Sequence, residues 1–379
     1  MSRVLASICL LLASMTAAAQ TPAPPASVAG IARKAAAARD ANRPEEALKL
    51  YSQALRIAPR WAEGWWQAGT IHYAMDQYPQ CRDAFRRFAA LEPKVSAGFG
   101  FLGLCEFQTK DFPRATASLE RAVTLGLPQG EQLTDVVLYH LALVHTKGGN
   151  FERALQICSM LVKKSVADPN VAAVAGTAAL RRPLFPHEVP EEDRDAVSRL
   201  GNTLLLVGTR PAEEIIAQFE ALLRDYPKLP SLRYTYATFL LVNDPDKGLE
   251  QLKAELEILP DHLPALISLA FEYLRRGEPE AALPSAERAA RLAPASFAAR
   301  ACLGRVLLES GDQRLPDATR ELEAAVRLAP DSPQARYSLA SAYARAGRKQ
   351  DAARERAEFA RLKKLMDTAK ATEAAQPPQ

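Results

Sequence analysis

Residues 98–103 read GFGFLG, a glycine spacing that in a dinucleotide-binding unit leaves backbone N–H groups free to cradle a pyrophosphate. That chemistry needs the first glycine at the end of a β-strand and the last at the start of a helix. Here the preceding residues, FAALEPKVSA, read as a helix end and a turn, and Glu120, the one acid at a distance suited to a ribose, falls inside the next helical segment. No cofactor is expected. A second candidate is His145 with Cys158, a thiolate–imidazole pair that would need proximity and a partly exposed, electropositive setting. Both residues lie on apolar helix faces, which favours packing over catalysis. His187 and Glu188 are adjacent and His140 and His145 are five apart, so neither pair has metal-ligand spacing on one face. No H-E-x-x-H, C-x-x-C, G-x-S-x-G or P-loop pattern occurs, and no metal is expected.

The elements that would have to position such groups are readable from composition and period. The 379 residues carry 48 Lys+Arg against 44 Asp+Glu, with the two signs interspersed, so no long-range field for nucleic acid arises. Residues 1–19 have the form of a secretory signal peptide: Arg3, the run VLASICLLLASM, and an A-x-A site at Ala17 to Ala19. The run is about half of the roughly 20 apolar residues that a membrane span needs. The expectation is cleavage before Gln20, export to the periplasm or beyond, and no span afterwards. Cys9 follows Ile8, where a lipoprotein signal would want a small residue. Residues 20–27, with TPAPPAS, read as a Pro-rich linker. Cys81, Cys105, Cys158 and Cys302 fall at core-facing or small-residue positions, and the expectation is four free buried thiols.

One period governs the rest. In RPEEALKLYSQALRIAP, DFPRATASLERAVTLGL and RLPDATRELEAAVRLAP an Ala, a large residue four later and a small one three after that recur, and QYPQCRDAFRRFAALEP and EPEAALPSAERAARLAP align with them. Pro59 and Pro93 stand 34 residues apart, as do Pro260 and Pro294. Between them lie segments such as EGWWQAGTIHYA, SAGFGFLGLCEF and PQARYSLASAYARAG, with a large residue at position 4 and Gly or Ala at position 8. Apolar residues at helical spacing, separated by Asn, Gly or Pro turns, make each repeat a helix hairpin.

This pattern resembles the tetratricopeptide repeat over about residues 28–369. The resemblance implies an all-α, right-handed α-solenoid of about nine helix-hairpin repeats, each burying its apolar face on its neighbours. Residues 28–182 form an N-terminal array whose last helix, NVAAVAGTAALRR, has no matching second helix. The three prolines of 183–190 force an extended loop there, a seam about which the halves could reorient. Residues 191–369 form a C-terminal array ending in a capping helix, and 370–379 a disordered tail.

In this family positions 2, 5, 9 and 12 of each first helix face the concave side, where partners bind. The resemblance therefore places Glu63, Trp66, Thr70 and Tyr73, then Ala97, Gly100, Leu104 and Phe107, and Tyr139, on that side, with Trp66, Thr70, Tyr73, Gly100, Leu104, Phe107 and Tyr139 as the partner-binding set. Gly100 beside Trp66 would form a notch for a partner's side chain. Ala32 and Ala36 stand where chaperone-binding members carry the residues that clamp a terminal carboxylate, so that role is set aside. The expected function is a non-catalytic scaffold that holds a peptide or helix of a protein partner. The alternatives are a structural subunit of an envelope secretion or polysaccharide-export assembly, and an enzyme using Cys158 and His145.

Overall fold

Proline opens many of the helices, because its fixed φ suits the first helical turn and its missing N–H is not needed there. Pro44, Pro245 and Pro279 are first residues of their helices, and Pro79, Pro113 and Pro264 second ones. The computed structural model describes residues 24–128, 132–162 and 168–375, with side chains as far as Thr368. Residues 1–19, and residues 20–23 of the linker, lie outside this range.

The chain divides into two compact units, 1–209 and 210–379. The first contains α1 (Ala29–Asp40), α2 (Pro44–Ile57), α3 (Ala62–Ala74), α4 (Tyr78–Leu91), α5 (Ser96–Gln108), α6 (Phe112–Leu125), α7 (Gln132–Lys147), α8 (Phe151–Leu161), α9 (Pro169–Ala179) and α10 (Arg194–Leu206). The second contains α11 (Ala212–Asp225), α12 (Leu232–Asn243), α13 (Pro245–Ile258), α14 (Leu263–Arg275), α15 (Pro279–Leu292), α16 (Phe297–Glu309), α17 (Leu315–Leu328), α18 (Pro333–Arg345) and α19 (Lys349–Ala375). Among the described residues the regular structure is helical, as the period requires.

Helix α2 shows how a repeat is built. Glu45 and Glu46 in its first turn and Arg56 in its last oppose the helix dipole, while Ala47, Tyr51, Ala54 and Leu55 form one buried stripe. Many first helices are followed by a left-handed residue that turns the chain back, among them those ending before Asn42, Asp76, Lys110, Gly149, Gly277 and Gly347. Second helices are then covered by the first helix of the following repeat, as α4 is by α5. Helices α2, α4, α13, α15 and α17 all close within two residues of a proline.

Three features depart from the sequence reading. Helix α9 has a partner, α10, and the two make the most intimate helix pair of the first unit. A Cβ on Gly176 of α9 would run into the Val197 carbonyl, and one on Gly201 of α10 into the Ala172 carbonyl. Two glycines thus let the backbones touch, and the expectation of an unpaired helix fails. The seam loop is also not an extended strap. It contains a 3-10 turn at Pro186–Glu188 and buries Phe185 and Val189. Lys147 pairs with Glu188 at 2.7 Å and lies over the Phe185 ring at 5.2 Å. Residues 183–190 belong to the first unit, and the unit boundary falls after Thr209 instead. At the C-terminus α19 continues to Ala375, across most of the stretch read as a disordered tail; residues 376–379 lie outside the described range.

Candidate functional site

The aromatic residues expected on an open face of the first unit instead hold its repeats together. Trp66 lies 5.0 Å from Phe88, 5.4 Å from Phe85 and 5.5 Å from Phe101, centroid to centroid. Phe101 belongs to the next repeat and stacks on Phe85 at 5.0 Å. Tyr73, at 4% exposure, meets Phe101 and Tyr78. Thr70, Gly100 and Leu104 are buried. The notch expected at Gly100 is filled: a Cβ there would lie 3.1 Å from Val137 of the repeat that follows. Only Trp66, Phe107 and Tyr139 of the set stay half-buried, and Phe107 is engaged by His140, Phe112 and Phe185. The next first helix covers these positions, which a repeat pattern read one copy at a time does not reveal. Truncating Trp66 would cost the fold about 3 kcal/mol or more.

GFGFLG lies wholly within α5, so no strand precedes it. Gly98 gives room to the Phe88 ring and Gly103 to Leu119. Glu120 accepts from His145 Nε2 at 2.8 Å and from Arg153 Nε and Nη2 at 3.1 and 3.0 Å. Burial alone would raise its pKa, but the bonds from Arg153 and His145 outweigh that and bring it below the ordinary value. Cys158 is buried, and burial pushes its thiol up to about 12. A thiol so disfavoured as thiolate is not an activated nucleophile, and the imidazole that was to activate it is committed to Glu120.

The cysteines bring a further correction. Cys81 of α4 and Cys105 of α5 form a disulfide, with Cα atoms 6.0 Å apart. It ties one repeat to the next beside the Trp66 cluster. Cys158 and Cys302 are free and buried, as expected.

In the second unit Ser231, His262 and Glu255 form a constellation that sequence reading missed. Ser231 takes a left-handed φ of 70°, and its Oγ lies 3.2 Å from His262 Nε2. The grouping has the residue types of a hydrolytic triad but the wiring of a cap. Glu255 accepts from the Ser231 N–H at 2.7 Å and the Tyr234 N–H at 3.3 Å, so it closes the start of α12. Ser231 and His262 are almost wholly buried. The clue available in the sequence was Glu255 itself, a carboxylate where other repeats place Ala54, Phe88, Ala289 and Ala325.

A second recurring device fixes the register. At position 4, the side chain reaches back to the proline carbonyl six residues earlier: Trp65 to Pro59 at 2.8 Å, Arg300 to Pro294 at 2.9 Å, Arg336 to Pro330 at 3.1 Å. Arg300 and Arg336 also pair with the buried carboxylates of Glu321 and Glu355, at 2.6 and 2.7 Å. This places position 4 at the edge of each hairpin and position 5 on the first-helix face.

The family model described as tetratricopeptide repeat matches residues 66–129, 268–313 and 312–358, and a second model of the same description matches 136–165. These are the segments whose hairpins, small position 8 and helix-ending prolines are set out above. The chain is a tetratricopeptide-repeat protein. No curated protein matches this repeat protein. Among solved structures it is similar to MamA 41-end from Desulfovibrio magneticus RS-1, at 19% identity over 45% of this chain and 94% of that one, TM-score 0.38. It is also similar to YrrB, titled a TPR protein with an unusual peptide-binding site, at 20% identity over 50% and 93%, TM-score 0.39. Yeast Tom70 matches at 13% identity over 93% and 97%, TM-score 0.31. At such scores the likeness is loose, and the assignment rests on the family match and the repeat positions.

The tetratricopeptide-repeat protein keeps its least covered first-helix face in the second unit. Helix α14 packs beside α16, and α16 beside α18. Positions 5 and 9 of these helices are Ile267 and Phe271, Ala301 and Arg305, and Tyr337 and Ser341. Residues at this spacing share one side of a helix. Ile267 and Phe271 are half-buried, Arg305 is exposed, and Tyr337 is 59% exposed. A repeat protein of this kind serves as a protein-interaction scaffold. No helix among its described residues is long and apolar enough to cross a membrane.

Proposed function

We propose that the protein is exported and holds a segment of another chain against the first-helix face of its second unit. The observation that carries this reading is the 59% exposure of Tyr337 on α18, in a row of first helices whose α14 carries half-buried Phe271 and Ile267. Large apolar side chains that the fold leaves partly uncovered on a row of adjacent helices are material for an interface. Export is supported by the signal-like residues 1–19 and by the Cys81–Cys105 disulfide, a bond favoured outside reducing compartments.

A photo-crosslinking side chain at position 337, expressed in the native host, tests the docking site. The expected result is a discrete adduct at 337 that a crosslinker at exposed Leu365 on α19 does not give. Adducts at 365 alone would favour a subunit that uses its array end within an envelope assembly. Adducts at neither position would overturn the reading. For export, residues 1–27 fused to a reporter enzyme active only in an oxidising compartment should yield activity, and an inactive fusion would refute it.

A further inference from the structure

The structure assigns the position-9 row of the second unit, Phe271 with Arg305, as a subsite for a carboxylate-bearing, otherwise apolar peptide segment. The assignment rests on the scaffold reading above and specifies its ligand. Arg305 of α16 lies with its guanidinium carbon 5.1 Å from the centre of the Phe271 ring on α14. A guanidinium stacked on an aromatic ring keeps its N–H edges free, and that edge geometry matches a carboxylate with two parallel hydrogen bonds. The ring below also restricts the arginine's rotamers, so less freedom is lost when an anion binds.

The charge inventory around Arg305 is one-sided. Nearby arginines are already committed: Arg300 to Glu321, Arg336 to Glu355, Arg275 and Arg276 to Glu272, and Arg345 to Asp312. Among the described residues no carboxylate stands within ion-pair distance of Arg305, and Glu309, one turn on along α16, makes no ion pair with it. None of the residues at positions 2, 5, 9 and 12 of α14, α16 and α18 is acidic. A single unpaired cation on an apolar face without anions selects an anion flanked by apolar groups.

The steric pattern fits a chain lying across the helices. Ala301 stands between Ile267 and Tyr337 in the position-5 row, a small residue between two large ones. In the first unit Val137 fills the equivalent step at Gly100, whereas the residue at Val137's position in the last repeat is Ala335. Neighbouring helix axes are about 8–10 Å apart, and an extended chain advances about 3.3 Å per residue. An extended segment therefore crosses α14 to α18 in roughly six residues, with its acid at α16.

The test uses the full chain and three fluorescein-labelled ten-residue peptides in which Leu and Phe alternate with Glu, with Gln or with Lys, read by fluorescence anisotropy. The Glu peptide should bind about two- to fivefold more tightly than the Gln peptide in low salt, a margin of the size surface ion pairs supply, and the margin should shrink in 0.5 M salt. Arg305→Glu should abolish that preference and turn it towards the Lys peptide. Ser341→Glu, on the neighbouring helix, should weaken the Glu peptide alone. Arg305 is exposed and circular dichroism checks that both variants fold. Equal binding of the Glu and Gln peptides, with Arg305→Glu indistinguishable from the parent, would overturn the carboxylate subsite while leaving the scaffold reading standing. Binding of none of the three would also overturn the subsite, with the scaffold reading then decided by the adducts at position 337.

Discussion

The contact between α9 and α10 makes a strong test of the fold, because it opposes two effects of one substitution. Gly176→Ala adds a methyl that meets the Val197 carbonyl, a backbone atom that no rotamer change can move. Overpacking of this kind costs about 1–3 kcal/mol, and a rigid backbone neighbour places it near the top of that range. Ala is the better helix former by about 1 kcal/mol, so the net loss should be about 2 kcal/mol. Gly30→Ala is the control: a Cβ there meets nothing within 4 Å, and only the propensity gain of up to about 1 kcal/mol remains. Gly201→Ala, which meets the Ala172 carbonyl, should resemble Gly176→Ala. The double variant should cost less than the sum, because one separation of the two helices relieves both clashes. Stacked repeats need not unfold in one step, so hydrogen exchange of α9 and α10 amides is the better readout beside urea denaturation. Amides in these helices that exchange no faster in Gly176→Ala than in the parent would refute the close approach.

Three further outcomes are expected. Glu255→Ala leaves the Ser231 and Tyr234 N–H groups without their acceptor and should destabilise the second unit by about 2 kcal/mol, measured by urea denaturation of the variant against Glu255→Gln, which keeps one acceptor and should lose less. A thiol reagent should leave Cys158 and Cys302 unlabelled in the folded protein and label them on unfolding, while Cys81 and Cys105 should need reductant as well; replacing that pair by serine should cost about 3 kcal/mol for a bridge of this separation. Because Glu120 titrates below its ordinary value in the fold, the stability it contributes is present above its unfolded pKa and lost as pH falls through its folded one; Glu120→Gln should therefore flatten the acid limb of a stability–pH curve and leave its neutral region with less stability than the parent, and an unchanged acid limb would show that the Arg153 and His145 bonds carry no weight.

The hairpins were legible because the period is written locally. Proline at helix starts and ends, a small residue at position 8 and an apolar stripe at helical spacing each act within about 34 residues, where chain connectivity already places the interacting groups. The dismissal of GFGFLG as a phosphate site was equally local, since a helix end and turn precede it. The partner-binding set was less legible. Trp66, Tyr73 and Leu104 have the types of an interface, but whether such residues face solvent depends on what the following repeat lays over them, and Phe101 and Val137 decide that.

Pairing across longer distances lay beyond the sequence for a related reason. α9 and α10 both carry Gly at the close-packing position of a first helix, so each pattern alone asks for a second-helix partner, and only the approach of the two backbones shows that they satisfy one another. Cys81 and Cys105 sit at ordinary small or buried positions of two different helices, and their spacing reveals no bond until α4 and α5 are stacked. Glu255 reads as a misplaced acid until the N-terminus of α12 is brought to it. The sequence by itself determined the helix hairpins and their stacking, because those follow from period and turn chemistry. The tertiary structure alone decided which apolar faces remained open, since exposure is a property of neighbours. It left that openness in the second unit, around Phe271, Arg305 and Tyr337.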